Sequence, residues 1–311
     1  MYPQHPGASR RTALALGAGT ALTAALGLAA AGPARALTAP AGRAGERAAA
    51  RLRALEERHD ARLGVYAHDV RTGRTLAHRD RERFPMCSVF KTLAVAAVLR
   101  DLDHDGSFLA RRVSYTAAYV ERSGWSPVTE SPENIARGMT VAELCDATIR
   151  FSDNTAGNLL LRELGGPTAI TRFARSTGDP VTRLDRWEPE LNSAEPWRTT
   201  DTTTPRAIAR TYGRLVLGRV LEPADRALLT DWLLRNTTST TRFRKGLPAD
   251  WTVADKTGGG KYGGNNDVGV TWPPDGGPIL LSVLTTRSEP EAGGVDELVA
   301  AAAAVVAEEL R

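Results

Sequence analysis

The sequence predicts an α/β fold of the α+β kind. An antiparallel sheet of about five strands is built from both chain ends, flanked by helices, with an all-helical subdomain inserted between them. Three observations carry this prediction. Period-two alternation marks two strands near the amino end, at 63–70 and 75–78. Three further strand candidates, 251–257, 267–272 and 279–286, lie towards the carboxyl end. Between these groups, apolar residues recur at helical spacing in one segment after another, and no internal repeat is visible. A chain of 311 residues is long enough to bury one large core.

In chain order, residues 1–36 read as an export signal. Ser9-Arg10-Arg11 precedes an Ala/Leu/Gly/Thr stretch from Thr12 to Ala31, and Ala34-Arg35-Ala36 offers a cleavage site, a pattern that suggests twin-arginine export. The Gly- and Ala-rich stretch and the helix-breaking Pro33 favour cleavage over a retained anchor, so a secreted product without stable membrane insertion is expected. Residues 37–45 read as a flexible link, and 46–311 as a single domain. Within it, 46–80 and 235–311 form the sheet region and 81–234 the helical region. Ala49, Leu52 and Leu55 place a helix at 46–58, and Arg71-Thr72-Gly73 turns the chain between the first two strands. The segment 88–100 is apolar on most faces through Phe90, Leu93, Val95, Val98 and Leu99, as a buried helix requires. Thr140 and Glu143 have capping-box spacing and open a helix to 150. Another helix runs over 154–164 and stops at Gly165-Gly166, and a third follows at 167–175. Segment 183–204 shows no sustained period and reads as a long structured loop. Helices at 206–217 and 223–234 follow, and an Ala-rich helix at 295–310 closes the chain.

Composition narrows the function classes. The formal net charge is +4, and Arg10, Arg11 and Arg35, in a segment without acids, supply three of those charges. No basic block is interleaved with aromatics, so a nucleic-acid partner is not expected. Cys87 and Cys145 cannot make a disulfide framework, no Cys/His cluster has metal spacing, and no metal or other cofactor is expected. No histidine follows His104, which argues against a Ser-His-Asp hydrolase and a histidine-rich zinc site. All but four of the 40 basic residues are arginine, the exceptions being Lys91, Lys245, Lys256 and Lys261. Arginine holds its proton, whereas a buried lysine can titrate, so these four stand out.

Two of these lysines lie in patterns that carry chemistry. In Ser88-Val89-Phe90-Lys91, helical spacing sets an amine beside a hydroxyl, and serine is a weak nucleophile until a base takes its proton. Ser152-Asp153-Asn154 falls in a short break between two helices. There a hydroxyl can relay a proton and an amide can hold a ligand carbonyl, or Asp or Asn can simply cap the next helix. Lys256-Thr257-Gly258 ends a predicted strand and runs into Gly259-Gly260. Glycines allow close approach to a strand edge, and a lysine there supplies positive potential for a carboxylate or oxyanion.

In this order the three patterns resemble the signature of class A β-lactamases and penicillin-binding proteins. The segment from Arg186 to Asn192, with Glu188, Leu191 and Asn192 at the offsets of an E-x-x-L-N motif, resembles the class A omega-loop, which penicillin-binding transpeptidases lack. The resemblance covers nearly all of 46–311. It implies an acyl-enzyme on Ser88, with either Lys91 or, through a water, Glu188 taking the Ser88 proton, Ser152 passing a proton, and Glu188 with Asn192 activating the water that hydrolyses the ester. Arg186 and Asp201 match the pair that closes the neck of the loop. Trp125, Asn154, Lys256, Thr257, Gly258, Gly259 and Arg242 match substrate-binding positions. The backbone N–H groups of Ser88 and Gly259 match the oxyanion hole. Asn265 stands where many members carry an arginine, and Arg242 resembles the alternative that some members use. Cys87 and Cys145 lack the partners found in bridged relatives, so two free, buried thiols are expected. The implied substrates are small-molecule penicillins and cephalosporins, and the implied state is a monomer. The alternatives are a penicillin-binding D,D-peptidase or a non-turnover β-lactam sensor, both with a long-lived acyl-enzyme.

Overall fold

Strands from the two ends of the chain meet in one antiparallel sheet. The computed structural model describes residues 40–311, with side chains from 45 onward; the export signal read over 1–36 lies outside the described residues. The strands are β1 (Arg62–Asp69), β2 (Thr75–His78), β3 (Thr252–Gly259), β4 (Asn265–Trp272) and β5 (Ile279–Thr286), in the order β2-β1-β5-β4-β3. Ser282 of β5 lies opposite Tyr66 on one side and Val268 on the other, and Thr257 of β3 lies opposite Asp267 of β4. The central strand reads Ile-Leu-Leu-Ser-Val-Leu-Thr-Thr and is buried throughout, because both sheet faces are covered.

On one face pack α1 (Pro40–His59) and the closing helix α8 (Asp296–Leu310). Leu52, Val299, Ala302 and Val306 meet Leu63, Val65, Leu281 and Val283 there. On the other face lies α6 (Pro205–Val216), and beyond it the helical region. Its centre is α2 (Lys91–Asp101), buried from Lys91 to Leu99. Around it stand α3 (Val141–Arg150), α4 (Asn154–Glu163), α5 (Thr168–Ser176) and α7 (Pro223–Leu234). Burying Leu93, Val95, Val98 and Leu99 contributes on the order of 1.5–3 kcal/mol each, which explains a helix with no polar face. The Thr140–Glu143 capping box is formed in both directions.

Several boundaries differ from the sequence reading. Residues 40–45, read as part of a flexible link, are the first turns of α1. Proline suits the first helical turn, and the alanines and arginines that follow favour helix strongly enough to carry Gly42 and Gly45. The segment starting at Ser88 is not helical in one piece. A 3-10 turn, Cys87–Phe90, leads into α2, as often happens where a helix start lacks carbonyl partners. The loop at 183–204 contains a 3-10 turn (Glu190–Ser193) and a two-residue strand (Thr202–Thr203) paired with Phe84–Pro85. Short helices at Ser107–Ala110, Ala117–Ser123, Pro132–Arg137 and Phe243–Gly246 span at most about two turns, too few for a recurring apolar face to mark them in the sequence.

Candidate active site

Ser88 lies in the 3-10 turn that leads into α2, where three-residue spacing puts Lys91, the first residue of α2, one turn above it. Cys87, just before, has φ +47°, a conformation unusual for a side-chain-bearing residue and often found at functional turns. Gly258 of β3 packs against this turn. A Cβ at that position would meet the Met86 carbonyl oxygen at 3.0 Å and the Ser88 nitrogen at 3.1 Å. Its glycine identity therefore serves the close approach of β3 to Ser88.

The Ser88 hydroxyl donates to Glu188 Oε1 at 3.1 Å. Lys91 Nζ lies 3.1 Å from the same oxygen, with both side chains fully buried. Lys91 also donates to Asn154 Oδ1 at 2.7 Å and to the Ser152 carbonyl at 2.8 Å. These contacts satisfy a charge that would be costly to bury alone. Gly157 makes room for it: a Cβ there would meet Lys91 Cε at 3.1 Å.

The Ser152-Asp153-Asn154 break divides its labour. Asp153 is the helix cap, accepting from Ala156 N at 2.8 Å and from Val128 N, Thr129 N and the Thr129 hydroxyl. Ser152, held at φ +58°, faces the two lysines, with Lys256 Nζ donating to its Oγ at 2.9 Å and Lys91 Nζ at 3.5 Å. A chain of polar groups thus links Glu188, Lys91, Ser152 and Lys256. Burial pushes Lys256 well below the ordinary lysine range, and the nearby charges of Lys91 and Arg242 add to the effect. Thr257 continues the strand, with its hydroxyl paired to that of Thr238 at 2.5 Å.

Glu188 is carried by the loop read from sequence, and it is only 3% exposed. Asn192 Nδ2 donates to Oε2, so each carboxylate oxygen has its own partners. The loop neck is closed by Asp201, whose Oδ1 accepts from Asp185 N at 2.7 Å and Arg186 N at 3.0 Å, while Arg186 Nε donates to Oδ2. The Asp201 carbonyl in turn accepts from Met86 N at 3.0 Å, which ties the neck to the Ser88 turn.

Sequence reading missed Asn158. Its Nδ2 donates to the Glu188 carbonyl at 2.9 Å and its Oδ1 accepts from Glu188 N at 3.0 Å, a two-way clamp from α4. A polar residue inside an apolar helix, one turn after Asn154, was the available signal.

The remaining residues lie around this cluster with different degrees of freedom. Trp125 is 66% exposed, its Nε1 donating to the Phe151 carbonyl, and its own carbonyl accepts from Asn154 N at 2.8 Å. It therefore flanks the Ser152–Asn154 break. Arg242 is bound to protein: Nη1 donates to the carbonyls of Gly258 (3.2 Å) and Asn266 (2.9 Å), and Nε to Asp296 Oδ1 (2.7 Å). Asn265 Nδ2 reaches the same Asp296 oxygen at 3.0 Å, so Arg242 and Asn265 meet behind the end of β3. Gly259, opposite Asn265 in the strand register, is exposed. Cys87 and Cys145 are both buried and unbridged.

The family model described as "Beta-lactamase enzyme family" matches residues 47–310. A beta-lactamase of Streptomyces fradiae is 67% identical over 300 residues, covering 96% of each chain. One from Streptomyces lavendulae is 69% identical over 259 residues, 83% of this chain and 85% of that one. The solved structure of the beta-lactamase from Streptomyces albus G has a TM-score of 0.84 at 64% identity, spanning 85% of this chain and 100% of its own. With a family match across nearly all of the described residues and relatives this similar along most of their length, the chain belongs to the beta-lactamase enzyme family.

Proposed function

We propose that this protein hydrolyses the β-lactam ring of penicillins and cephalosporins by the class A route, through an acyl-enzyme on Ser88 that Glu188 then clears. One observation carries the reading: a buried carboxylate touches both the Ser88 hydroxyl and the Lys91 amine, with an amide on its second oxygen. In acylation the Ser88 oxygen attacks the ring carbonyl while Glu188 accepts its proton and Lys91 stabilises the resulting charge. Backbone N–H groups of Ser88 and Gly259 hold the developing oxyanion. Ser152, in contact with both lysines, gives its proton to the leaving nitrogen and recovers one from Glu188 by way of Lys91, which returns Glu188 to the carboxylate that deacylation needs. Lys256 and Thr257 receive the substrate carboxylate, with positive potential from Arg242. Asn154 receives the side-chain amide, and Trp125 walls the cleft. In deacylation Glu188 and Asn192 orient a water onto the ester, general-base work typically worth 10²–10⁴-fold.

The same reading has the chain exported through residues 1–36 and acting as a monomer. Among the described residues no helix is long and apolar enough to cross a membrane. The test is steady-state hydrolysis of a penicillin by the purified protein. Sustained turnover is expected. A single stoichiometric burst that stalls would instead indicate a penicillin-binding D,D-peptidase or a sensor.

A further inference from the structure

We propose that the protein has a second ligand site, a pocket that binds a phosphoryl anion through Arg81, Arg206, Arg210 and Arg214. The cavity, about 390 Å³, lies between the outer face of α6 and the segment 178–181, and no residue assigned to β-lactam hydrolysis lines it. Arg206, Arg210 and Arg214 recur every four residues and so share one helix face, opposite the face where Ile208, Tyr212 and Leu215 are buried. Like charges at this spacing repel, so the row costs helix stability unless something outside the helix compensates.

The protein compensates only part of it. Arg206 is paired with Asp80. Among the described residues no carboxylate lies within ion-pair distance of Arg81, Arg210 or Arg214. Asp179 lines the pocket but is already committed. Its Oδ1 accepts from Val181 N (2.8 Å) and Thr182 N (3.0 Å), and its Oδ2 from the hydroxyls of Thr182 and Thr211. Four guanidinium groups against two carboxylates leave the pocket cationic along the side of α6 from Thr204 to Arg214.

Three of the four arginines are also held in place, all on α6. The buried Tyr66 ring lies 4.9 Å from the Arg206 guanidinium and 5.8 Å from that of Arg210, and Arg210 Nε donates to the Tyr66 hydroxyl at 3.3 Å. The Arg214 guanidinium rests against Gly178, which has φ +82° and where a Cβ would come within 3.7 Å of Cζ. Arg175 and Arg83 pin the facing segment from behind by donating to the carbonyls of Asp179 (2.6 Å), Thr182 (2.8 Å) and Val181 (3.1 Å). Binding an anion here therefore requires little reordering. Guanidinium forks match the oxygens of a phosphoryl group, and several of them call for more charge than one carboxylate carries. The volume suits a phosphoryl group with a small substituent.

The experiment is calorimetric titration of the purified protein with phenyl phosphate and with inorganic phosphate, at ionic strength held constant with chloride. Phosphate stabilises proteins generally by exclusion from their surface, so the readout is saturable heat in the parent against an Arg210→Gln/Arg214→Gln variant. Saturable binding is expected, weakened about tenfold or more in the variant, as the loss of one charge-assisted contact implies, with β-lactam hydrolysis unchanged. Stronger binding of phenyl phosphate assigns the site to a phosphate monoester, and equal binding to free phosphate. An Arg81→Gln variant, altered only in a loop, repeats the test should the double variant fold poorly. Absence of saturable binding in the parent, or equal affinity in both variants, would overturn the site.

Discussion

Replacing Asn158 with alanine should damage both stability and deacylation, and the structure sets the scale. Asn158 is 4% exposed and makes two hydrogen bonds to the Glu188 backbone, at 2.9 and 3.0 Å, and a longer one to the Ser123 hydroxyl at 3.3 Å. Alanine leaves the Glu188 N–H and C=O without these partners. A buried polar group left unsatisfied costs about 1–3 kcal/mol, so two set an upper bound of about 6 kcal/mol. Water entering the vacated space recovers part of this, which brings the expected loss to about 2–3 kcal/mol. For a domain of this size that corresponds to a fall in Tm of about 4–12 °C. The kinetic effect is separable from the thermal one. Glu188 keeps its carboxylate but loses the clamp that aims it, so kcat should fall by about 10²-fold, the lower range of a general-base contribution. The acyl-enzyme should then accumulate. Thermal unfolding gives the first number, and stopped-flow kinetics with mass spectrometry of the quenched reaction gives the second. A variant that loses stability yet keeps full kcat, with no acyl-enzyme detected, would refute the claim that Asn158 positions Glu188.

Other outcomes follow from the same contacts. Glu188→Ala should acylate and then stall, losing at least ~10²-fold in turnover, while Ser88→Ala should form no covalent adduct; undiminished hydrolysis by the first, or a penicilloyl adduct on the second, would remove that residue from its role. Burial acts to raise the Glu195 carboxyl, but hydrogen bonds from its own backbone N–H, Arg186 and Ser193 outweigh it and hold the group down at about 2 instead of 4.5. A carboxyl held low in the folded state stabilises the fold above its unfolded value, and that stability is lost as pH falls towards the folded value. Wild type and Glu195→Gln should therefore differ in Tm above pH 4.5 and converge towards pH 2, whereas parallel curves across that window would contradict the assignment. Burial, then the nearby Glu188 charge, pushes the Cys87 thiol up to about 12, and burial likewise raises Cys145. Neither should react with a disulfide reagent at pH 8 in the native protein, and both should react in denaturant; rapid labelling of the native protein would show that the turn before Ser88 opens.

Much of the fold was legible because burial on both faces writes long apolar runs into the chain. The central strand 279–286 and the helix at 91–101 are cases in point. The strand Thr202–Thr203 and the helix Ala117–Ser123 were not legible: two residues show no alternation, and seven span only about two helical turns, too few for an apolar face to recur. At the candidate site the rarity of lysine made Lys91 and Lys256 conspicuous. Arginine content did obscure Arg206, Arg210 and Arg214, which look ordinary in a chain this rich in arginine and acquire meaning only when their missing acid partners are known.

By itself the sequence determined which groups exist and on which local element each rides: a hydroxyl and an amine one turn apart, a serine and an asparagine flanking a helix cap, a lysine at a glycine-ended strand, a glutamate and an asparagine on one loop. Those are properties of neighbouring residues, set by helical and strand periods. Only the tertiary structure decided that Ser88, Ser152, Glu188 and Lys256 stand within a few hydrogen bonds of one another, that Asp153 caps while Ser152 faces the lysines, and that Asn158 grips the Glu188 backbone. The reason is physical. A buried polar group must find its partner wherever packing brings one, and packing joins residues far apart along the chain.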